Sequence, residues 1–284
     1  MKSIYEPFQQ VSLNGVILDY DQPAIAVVDQ GLLYGYGVFD TLRIFKKKPF
    51  MRDRHIDRLF SSALILDINV TEVMTNIHLW LDEFILKTGL VDAIARITVT
   101  KGVKDMPCII ISSRPLTYTA KHYMNGFSAG VSAIKRNEYS PLARIKSLNY
   151  LDNILARRMA NDKGFDEALM LNGKDFLCEC SMSNIFFMKD EILHTPALGC
   201  GVLDGITGAL VKYTIAPELN LSLIEGEYLF ENLICADESF LTNSAMGIMP
   251  LVSVDGHPIG EGRPGKITRL VMKHYESILD ERHD

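Results

Sequence analysis

The chain has 284 residues, 48% of them hydrophobic, enough to bury a large core and to favour two domains over one. Its 29 lysines and arginines are scattered and outnumbered by 35 acids, for a net charge of −6, which argues against nucleic acid and for a small-molecule partner. No run approaches the roughly 18 apolar residues of a membrane span, and "MKSIYEPFQQ" has no signal-peptide core, so a soluble, cytoplasmic protein without a membrane partner is expected.

In chain order, "VSLNGVILDY" and "GVFDTLRIF" read as strands, "RDRHIDRLFSSALILDI" and "VMTNIHLWLDEFILKTG" as helices, and "AIARITVTKG" and "PCIIISSRPL" as strands again. That order predicts an α+β domain over residues 1–117, built on a mainly antiparallel sheet. The pattern restarts at "FSAGVSAI", which makes 118–126 the expected linker and 127–284 a second domain. There a helix at 147–163 is followed by strands "EALMLNG", "DFLCECS" and "NIFFMKDEILHTP", a helix after Gly205, and strands at "SFLTNS" and "PLVSVDG". Short strands with turn dipeptides such as Asn172-Gly173 and Asp255-Gly256 favour a barrel-like mixed domain. A Rossmann fold has no support, because no G-x-G-x-x-G stands at a strand-to-helix junction. The five cysteines, Cys108, Cys178, Cys180, Cys200 and Cys235, are odd in number and lie in apolar surroundings, as reduced buried thiols do. The C-x-C of "LCECS" lacks a second ligand pair, so no metal is expected.

Four features carry chemistry. In "ARIKSLNYLDNILARRMANDKG" the steps from Leu148 to Leu151, Leu155 and Met159 predict one helix face, with Ser147 as N-cap and Gly164 as stop. Lys146 then stands at the positive end of the helix dipole, where an ammonium is disfavoured and a free amine can form a Schiff base. The ordinary alternative is a solvated surface lysine. In "GCGVLDGITGALVKYTIAPEL" the glycines bracket a tight loop before a helix at Ile206 to Ile215, whose first amides and the Thr207 hydroxyl make a phosphate seat or simply a helix start. Arg58 interrupts the edge of the apolar stripe Ile56, Leu59 and Ala63, as a phosphate fork or as half of an i,i+4 pair with an aspartate. Glu179, between two cysteines on a strand, needs a proton or a cation if buried, and a protonated pyridine nitrogen is such a partner. A Schiff-base lysine, a carboxylate for a ring nitrogen and an arginine plus helix terminus for a phosphate are together what pyridoxal 5'-phosphate requires of a protein.

The blocks "GVFDTLRIF", "RHIDRLFSSA", "IKSLNYLDNILAR", "ECSMSNIFF", "GVLDGIT" and "FLTNSAMGIMPLVSVDG" resemble, in order and over nearly the whole chain, the class IV (fold type IV) pyridoxal-phosphate enzymes. That family includes branched-chain aminotransferases, D-amino-acid aminotransferases and 4-amino-4-deoxychorismate lyases. The resemblance implies a two-domain α+β fold with an N-terminal α/β sandwich and a C-terminal pseudo-barrel, and a homodimer. It implies that Lys146 carries the cofactor, that Glu179 pairs with its ring nitrogen, and that Leu203 packs on the ring. Arg58, the Ile206 and Thr207 amides and Ser244 would hold the phosphate. Tyr34, Phe39, Thr41, Arg96 and the Ala245 backbone would face the substrate.

Departures bear on the reaction. "VTKGVKDMP" lacks the Arg-x-His pair with which the D-amino-acid enzymes grip a carboxylate, although Lys101 or Lys104 could substitute. Ile94 and Thr41 fit the branched-chain pattern poorly, whereas "FDTLR" and "CECS" resemble the lyases, in which a threonine at the Thr41 position is proposed to assist proton transfer to pyruvate. "GITG" replaces the common "GITR" at Gly208. Transamination between an amino acid and a 2-oxo acid is the leading expectation; a lyase giving p-aminobenzoate and pyruvate, and an inactive binding protein on the same fold, are the alternatives.

Overall fold

The computed structural model describes residues 10–281 of the chain. Two compact units divide it: one takes the described residues up to Thr117 together with Ile145–Asn149, the other Tyr118–Arg144 with Tyr150–Glu281.

The first unit runs β1 (Gln10–Leu13), β2 (Val16–Asp19), α1 (Gln30–Tyr34), β3 (Gly37–Phe45), β4 (Lys48–Pro49), α2 (Arg52–Ile65), α3 (Thr71–Met74), α4 (Ile77–Thr88), β5 (Ala93–Val103) and β6 (Met106–Arg114). Its six strands pair in the order β2-β1-β6-β5-β3-β4, antiparallel throughout, as expected from a hairpin-rich sequence. Helix α2 buries Ile56, Leu59, Phe60 and Ala63, the stripe legible in its sequence, and β3 and β5 contribute Leu42, Ile44 and Ile97 to the core.

The second unit runs α5 (Ala120–Asn125), β7 (Phe127–Val131), α6 (Leu151–Asp162), β8 (Glu167–Leu171), β9 (Leu177–Cys180), β10 (Asn184–Lys189), β11 (Ile192–Pro196), α7 (Ile206–Leu210), α8 (Ala216–Glu218), β12 (Ser222–Gly226), α9 (Phe230–Ile234), β13 (Glu238–Asn243), β14 (Gly247–Val254), β15 (His257–Pro258) and α10 (Lys266–Glu281). A π-helical turn over Val211–Ile215 makes α7 and α8 one continuous helix. Nine strands form a mixed sheet, β12-β11-β10-β13-β14-β7-β8-β9 with β15 beside β14; β7–β8 and β11–β12 are parallel pairs joined by helical crossovers. The Cys180 amide donates to the Ser183 carbonyl at 2.7 Å, so the β9 end of the sheet turns back toward β10 and the sheet curls into a half-barrel. Its core gathers Leu169, Leu177, Ile185, Phe187, Leu241, Met249 and Leu251.

Four expectations change. Residues 118–126 hold helix α5, with a capping box at Thr119, and fall within the second unit. The helix expected from Ser147 begins at Leu151 with Tyr150 at its N-cap, because Ser147 is instead bridged to Val38 of β3. The stripe expected to anchor that helix is its outer face: Leu151 is 64% exposed and Leu155 and Met159 are also exposed, while Asn153, Ala156 and Ala160 are buried and the two alanines pack on Ala168 and Met170. Small side chains let a crossover helix approach its sheet closely. Cys235 is exposed, unlike the buried Cys178, Cys180 and Cys200.

Candidate active site

Lys146 is placed by backbone pairing. The Phe39 amide donates to the Lys146 carbonyl and the Leu148 amide to the Gly37 carbonyl, both at 2.9 Å, so residues 146–148 lie antiparallel beside the start of β3. Asn149 donates from Nδ2 to the Gly35 carbonyl at 2.9 Å. Two glycines of "YGYGVF" make this docking possible: Gly35 caps α1 in the left-handed region at φ 64, and a Cβ on Gly37 would stand 2.5 Å from the Val99 carbonyl oxygen and 2.7 Å from Leu148 Cδ1. The helix dipole therefore does not act on Lys146 in the expected way, since α6 starts five residues later. A short extended segment holds it instead.

One face of the first sheet gathers three of the expected substrate residues, Phe39, Thr41 and Arg96. Phe39, which is buried, and Thr41 share that face of β3, and across the ladder stand Thr98 and Arg96 of β5. The Arg96 guanidinium lies 3.6 Å from the Phe39 ring centroid, and Lys146 Nζ lies 4.6 Å from the same centroid, so one ring carries two cations. Arg96 also donates from Nε to Thr98 Oγ1 at 3.1 Å. Tyr34 is exposed on α1. Lys101 is held by Asp105 at 3.1 Å and Asp67 at 3.4 Å and donates to the Asp67 carbonyl, while Lys104 sits in the exposed β5–β6 turn.

Behind that face the pleat turns Asp40 toward α2. Arg58 makes two bonds to it, Nε to Oδ2 and Nη2 to Oδ1, both 2.8 Å, and His55 Nδ1 lies 2.7 Å from Oδ1. The aspartate partner of Arg58 is thus across the fold and not along its helix. Burial raises the Asp40 carboxyl, but Arg58 and His55 outweigh it and hold the group well below the usual carboxylate range. Burial lowers the His55 ring, leaving it neutral at pH 7 as a donor through Nδ1.

In the second unit Glu179 of β9 is buried, and each of its oxygens is engaged. Oε1 meets Arg136 Nη2 at 2.9 Å; Oε2 accepts from Asn184 Nδ2 at 3.1 Å and from the Leu203 amide at 3.2 Å. Arg136 is itself fixed by the carbonyls of Ala143 (2.7 Å) and Gly201 (3.2 Å) and by Asn153 Oδ1 of α6 (3.3 Å). Asn184 also donates to the Leu203 carbonyl at 2.9 Å, so Leu203 and Glu179 share one clamp. The cation that a buried glutamate demands is therefore partly supplied by the protein.

Ile206 and Thr207 occupy the first turn of α7, where Gly205 is the N-cap and provides no side-chain cap bond. A Cβ on Gly205 would stand 1.9 Å from Asn184 Oδ1, which requires glycine there, and one on Gly208 would stand 3.1 Å from the same atom. Near Gly208 the buried Thr242 hydroxyl has no partner. After β13, Asn243 Oδ1 accepts from the amides of Ala245 (2.9 Å) and Met246 (2.8 Å) and its Nδ2 donates to the Met182 carbonyl (3.0 Å), so this side chain shapes the turn bearing Ser244 and Ala245.

Arg136, Asn184, Asn243, Asp40 and His55 escaped the sequence reading. Asp40 left a signal, as a carboxylate between the buried Val38 and Leu42 on a strand. Arg136 left none, since its partner lies far along the chain.

Comparison with known proteins supplies the family. The chain is 34% identical, over 95% of its length and 96% of the relative's, to a Methanocaldococcus jannaschii protein provisionally named a branched-chain-amino-acid aminotransferase. It is 29% identical, over 96% of each chain, to the aminodeoxychorismate lyase of Bacillus subtilis. The solved branched-chain aminotransferase of Escherichia coli superposes with a TM-score of 0.86 at 28% identity, covering 95% of this chain and 94% of that one. The amino-transferase class IV model matches residues 37–254, and with these relatives it shows that the chain belongs to the class IV aminotransferases, the fold type IV pyridoxal-phosphate enzymes.

Proposed function

We propose that this chain transfers an amino group between an amino acid and a 2-oxo acid, with pyridoxal 5'-phosphate as its cofactor and Lys146 as the lysine that carries it. The residues fit that group. Glu179 supplies the buried carboxylate acceptor that a protonated ring nitrogen requires, its oxygens oriented by Arg136, Asn184 and the Leu203 amide. The first turn of α7 has amides without a side-chain cap, beside glycines and a buried, unpartnered hydroxyl on Thr242, as a phosphate requires. Bound there, the cofactor supplies an electron sink for charge developing at the substrate Cα.

The chain's own groups do the rest. Lys146 Nζ takes the substrate α-proton and returns it, Glu179 holds a proton on the ring nitrogen, and Leu203 packs on the ring. Arg58, Ser244 and the Ile206 and Thr207 amides hold the phosphate. Phe39, Arg96, Tyr34 and the Ala245 backbone form the substrate side. Pairing into a homodimer is part of the reading, supported by exposed apolar residues on α1 (Leu32, Leu33) and on α6 (Leu151, Ile154).

One observation carries the reading: the Phe39 ring brings the Arg96 cation into the company of Lys146, a place for an anionic substrate beside the amine that reacts. The state of Lys101 favours branched-chain-type substrates over D-amino acids. Tied to Asp67 and Asp105, it is a poor stand-in for the missing carboxylate grip. The lyase alternative keeps Thr41, which stands on the Phe39 face opposite Arg96.

The test supplies pyridoxal phosphate to the purified chain, fixes it with borohydride and maps the modified residue. Labelling of Lys146 is expected, and a protein without a visible band or label at Lys146 defeats both enzymatic readings. A panel of L- and D-amino acids with 2-oxo acids, run beside aminodeoxychorismate, then separates the reactions. Pyruvate appearing with p-aminobenzoate and no amino transfer would make the chain a lyase.

A further inference from the structure

Asp40 and His55 belong to the sequence blocks that carry the family likeness, yet neither has a part in the chemistry above. Both side chains are 1% exposed, whereas Arg58 is 18% exposed and so stands at the edge of the same cluster. Burying a carboxylate and an imidazole is costly, and the apolar stripe of α2 packs without them. Their geometry is that of a mount. Asp40 takes Nε and Nη2 of Arg58 in two bonds, which fixes the plane of the guanidinium as a single bond does not. Asp40 is in turn fixed through Oδ1 by His55 Nδ1 at 2.7 Å and by the Thr41 amide at 2.7 Å. An arginine fork has a second edge, Nη1 with Nη2, and a guanidinium held by one edge presents the other in a set direction.

We propose that Asp40 and His55 are positioning residues that hold Arg58 in the orientation in which it receives the phosphate ester of the cofactor. The proposal rests on the reading of Arg58 as a phosphate ligand. It has a sign that simple electrostatics does not share. Asp40 neutralises Arg58, so on charge alone its removal strengthens the attraction for a phosphate dianion. If Asp40 acts by orientation, its removal weakens that attraction.

The experiment compares pyridoxal phosphate with pyridoxal, which lacks the phosphate. The full chain, stripped of cofactor, is titrated with each and binding is followed by the visible band; the ratio of the two dissociation constants is the phosphate discrimination. Asp40→Asn is expected to lower that ratio roughly tenfold with little change for pyridoxal, the scale of one charge-assisted hydrogen bond, and Arg58→Met to lower it at least as far. His55→Ala is expected to lower it too, and His55→Asn, whose amide can donate from near the Nδ1 position, to recover most of it. If Arg58→Met leaves the ratio intact, the phosphate reading of Arg58 fails and the proposal with it. If Arg58→Met lowers the ratio but Asp40→Asn keeps or raises it, or weakens both ligands alike, the positioning role alone is overturned. Should Asp40→Asn not fold, the His55 pair decides: equal losses for Ala and Asn mean packing and overturn the proposal.

Discussion

Lys146 and Glu179, the two residues on which the proposed chemistry turns, are held in opposite ways. Lys146 lies on an extended segment fixed by main-chain bonds to Gly37 and Phe39, and what makes room for that segment is a missing side chain at Gly37. Glu179 is fixed by side chains, Arg136 and Asn184, with one amide from Leu203. Arg58 follows Glu179 in this, since Asp40 and His55 hold it. Main-chain mounts respond to added volume and not to charge or pH. Side-chain mounts respond to the loss of a charge and titrate with their partners. The difference assigns each position a distinct way to fail.

The largest effect is expected at Arg136. Arg136→Met leaves Glu179 buried without its cation and removes the bonds to Ala143, Gly201 and Asn153. Breaking a buried ion pair by deleting one partner costs about 3–5 kcal/mol, measured here by urea denaturation, and Arg136→Lys should recover part of it. A loss below about 1 kcal/mol would mean that the pair behaves as a surface ion pair and that Glu179 is not mounted through Arg136.

Gly37→Ala comes next. The new methyl must displace both the Val99 carbonyl and Leu148, and overpacking of this kind costs about 1–3 kcal/mol. Borohydride fixation of the cofactor at Lys146 should fall along with stability, and the stability loss should be the same at pH 6 and pH 8 because no titratable group is involved. A strongly pH-dependent loss would put Lys146 in the side-chain class and erase the contrast.

These two mounts also explain what the sequence revealed. Strands were legible because inward and outward residues alternate and turn dipeptides punctuate them, and the α2 stripe was legible because Ile56, Leu59 and Ala63 are indeed its buried face. Glu179 was legible because a carboxylate between cysteines on a buried strand poses a local problem that demands a partner. The setting of Lys146 was misread because pairing with β3, remote in sequence, overrides local helix propensity at Ser147 to Tyr150. The same periodicity put leucines on α6 without saying which face the sheet would cover. Alanines, with little hydrophobic signal, mark the covered one.

A smaller test of the main-chain mount is Asn149→Ala. It deletes the bond from Nδ2 to the Gly35 carbonyl at an exposed position and should cost about 1 kcal/mol, read as a lower denaturation midpoint with an unchanged slope. If the loss matches that of Gly37→Ala, the segment is held mainly by Asn149 and the steric argument at Gly37 is wrong.

The effect confined to acid pH, and the one that separates the classes most sharply, is the acid limb due to Asp40. Its carboxyl has an ordinary value of 3.8 and is held well below that in the folded chain, where Arg58 and His55 outweigh the burial that raises it. A depressed folded value means that the unfolded chain binds the proton more readily, so stability rises with pH in that window. The Asp40 contribution is whole above the unfolded value and is lost as pH falls from about 4 toward the folded value, at up to about 1.4 kcal/mol per pH unit. The difference in unfolding free energy between the wild type and Asp40→Asn should therefore be level from pH 5 to 7 and shrink below pH 4, whereas the difference between the wild type and Gly37→Ala should stay level throughout. If both differences have the same pH dependence, charge does not distinguish the two kinds of mount, because Asp40 then acts on Arg58 as a shape and not as an anion.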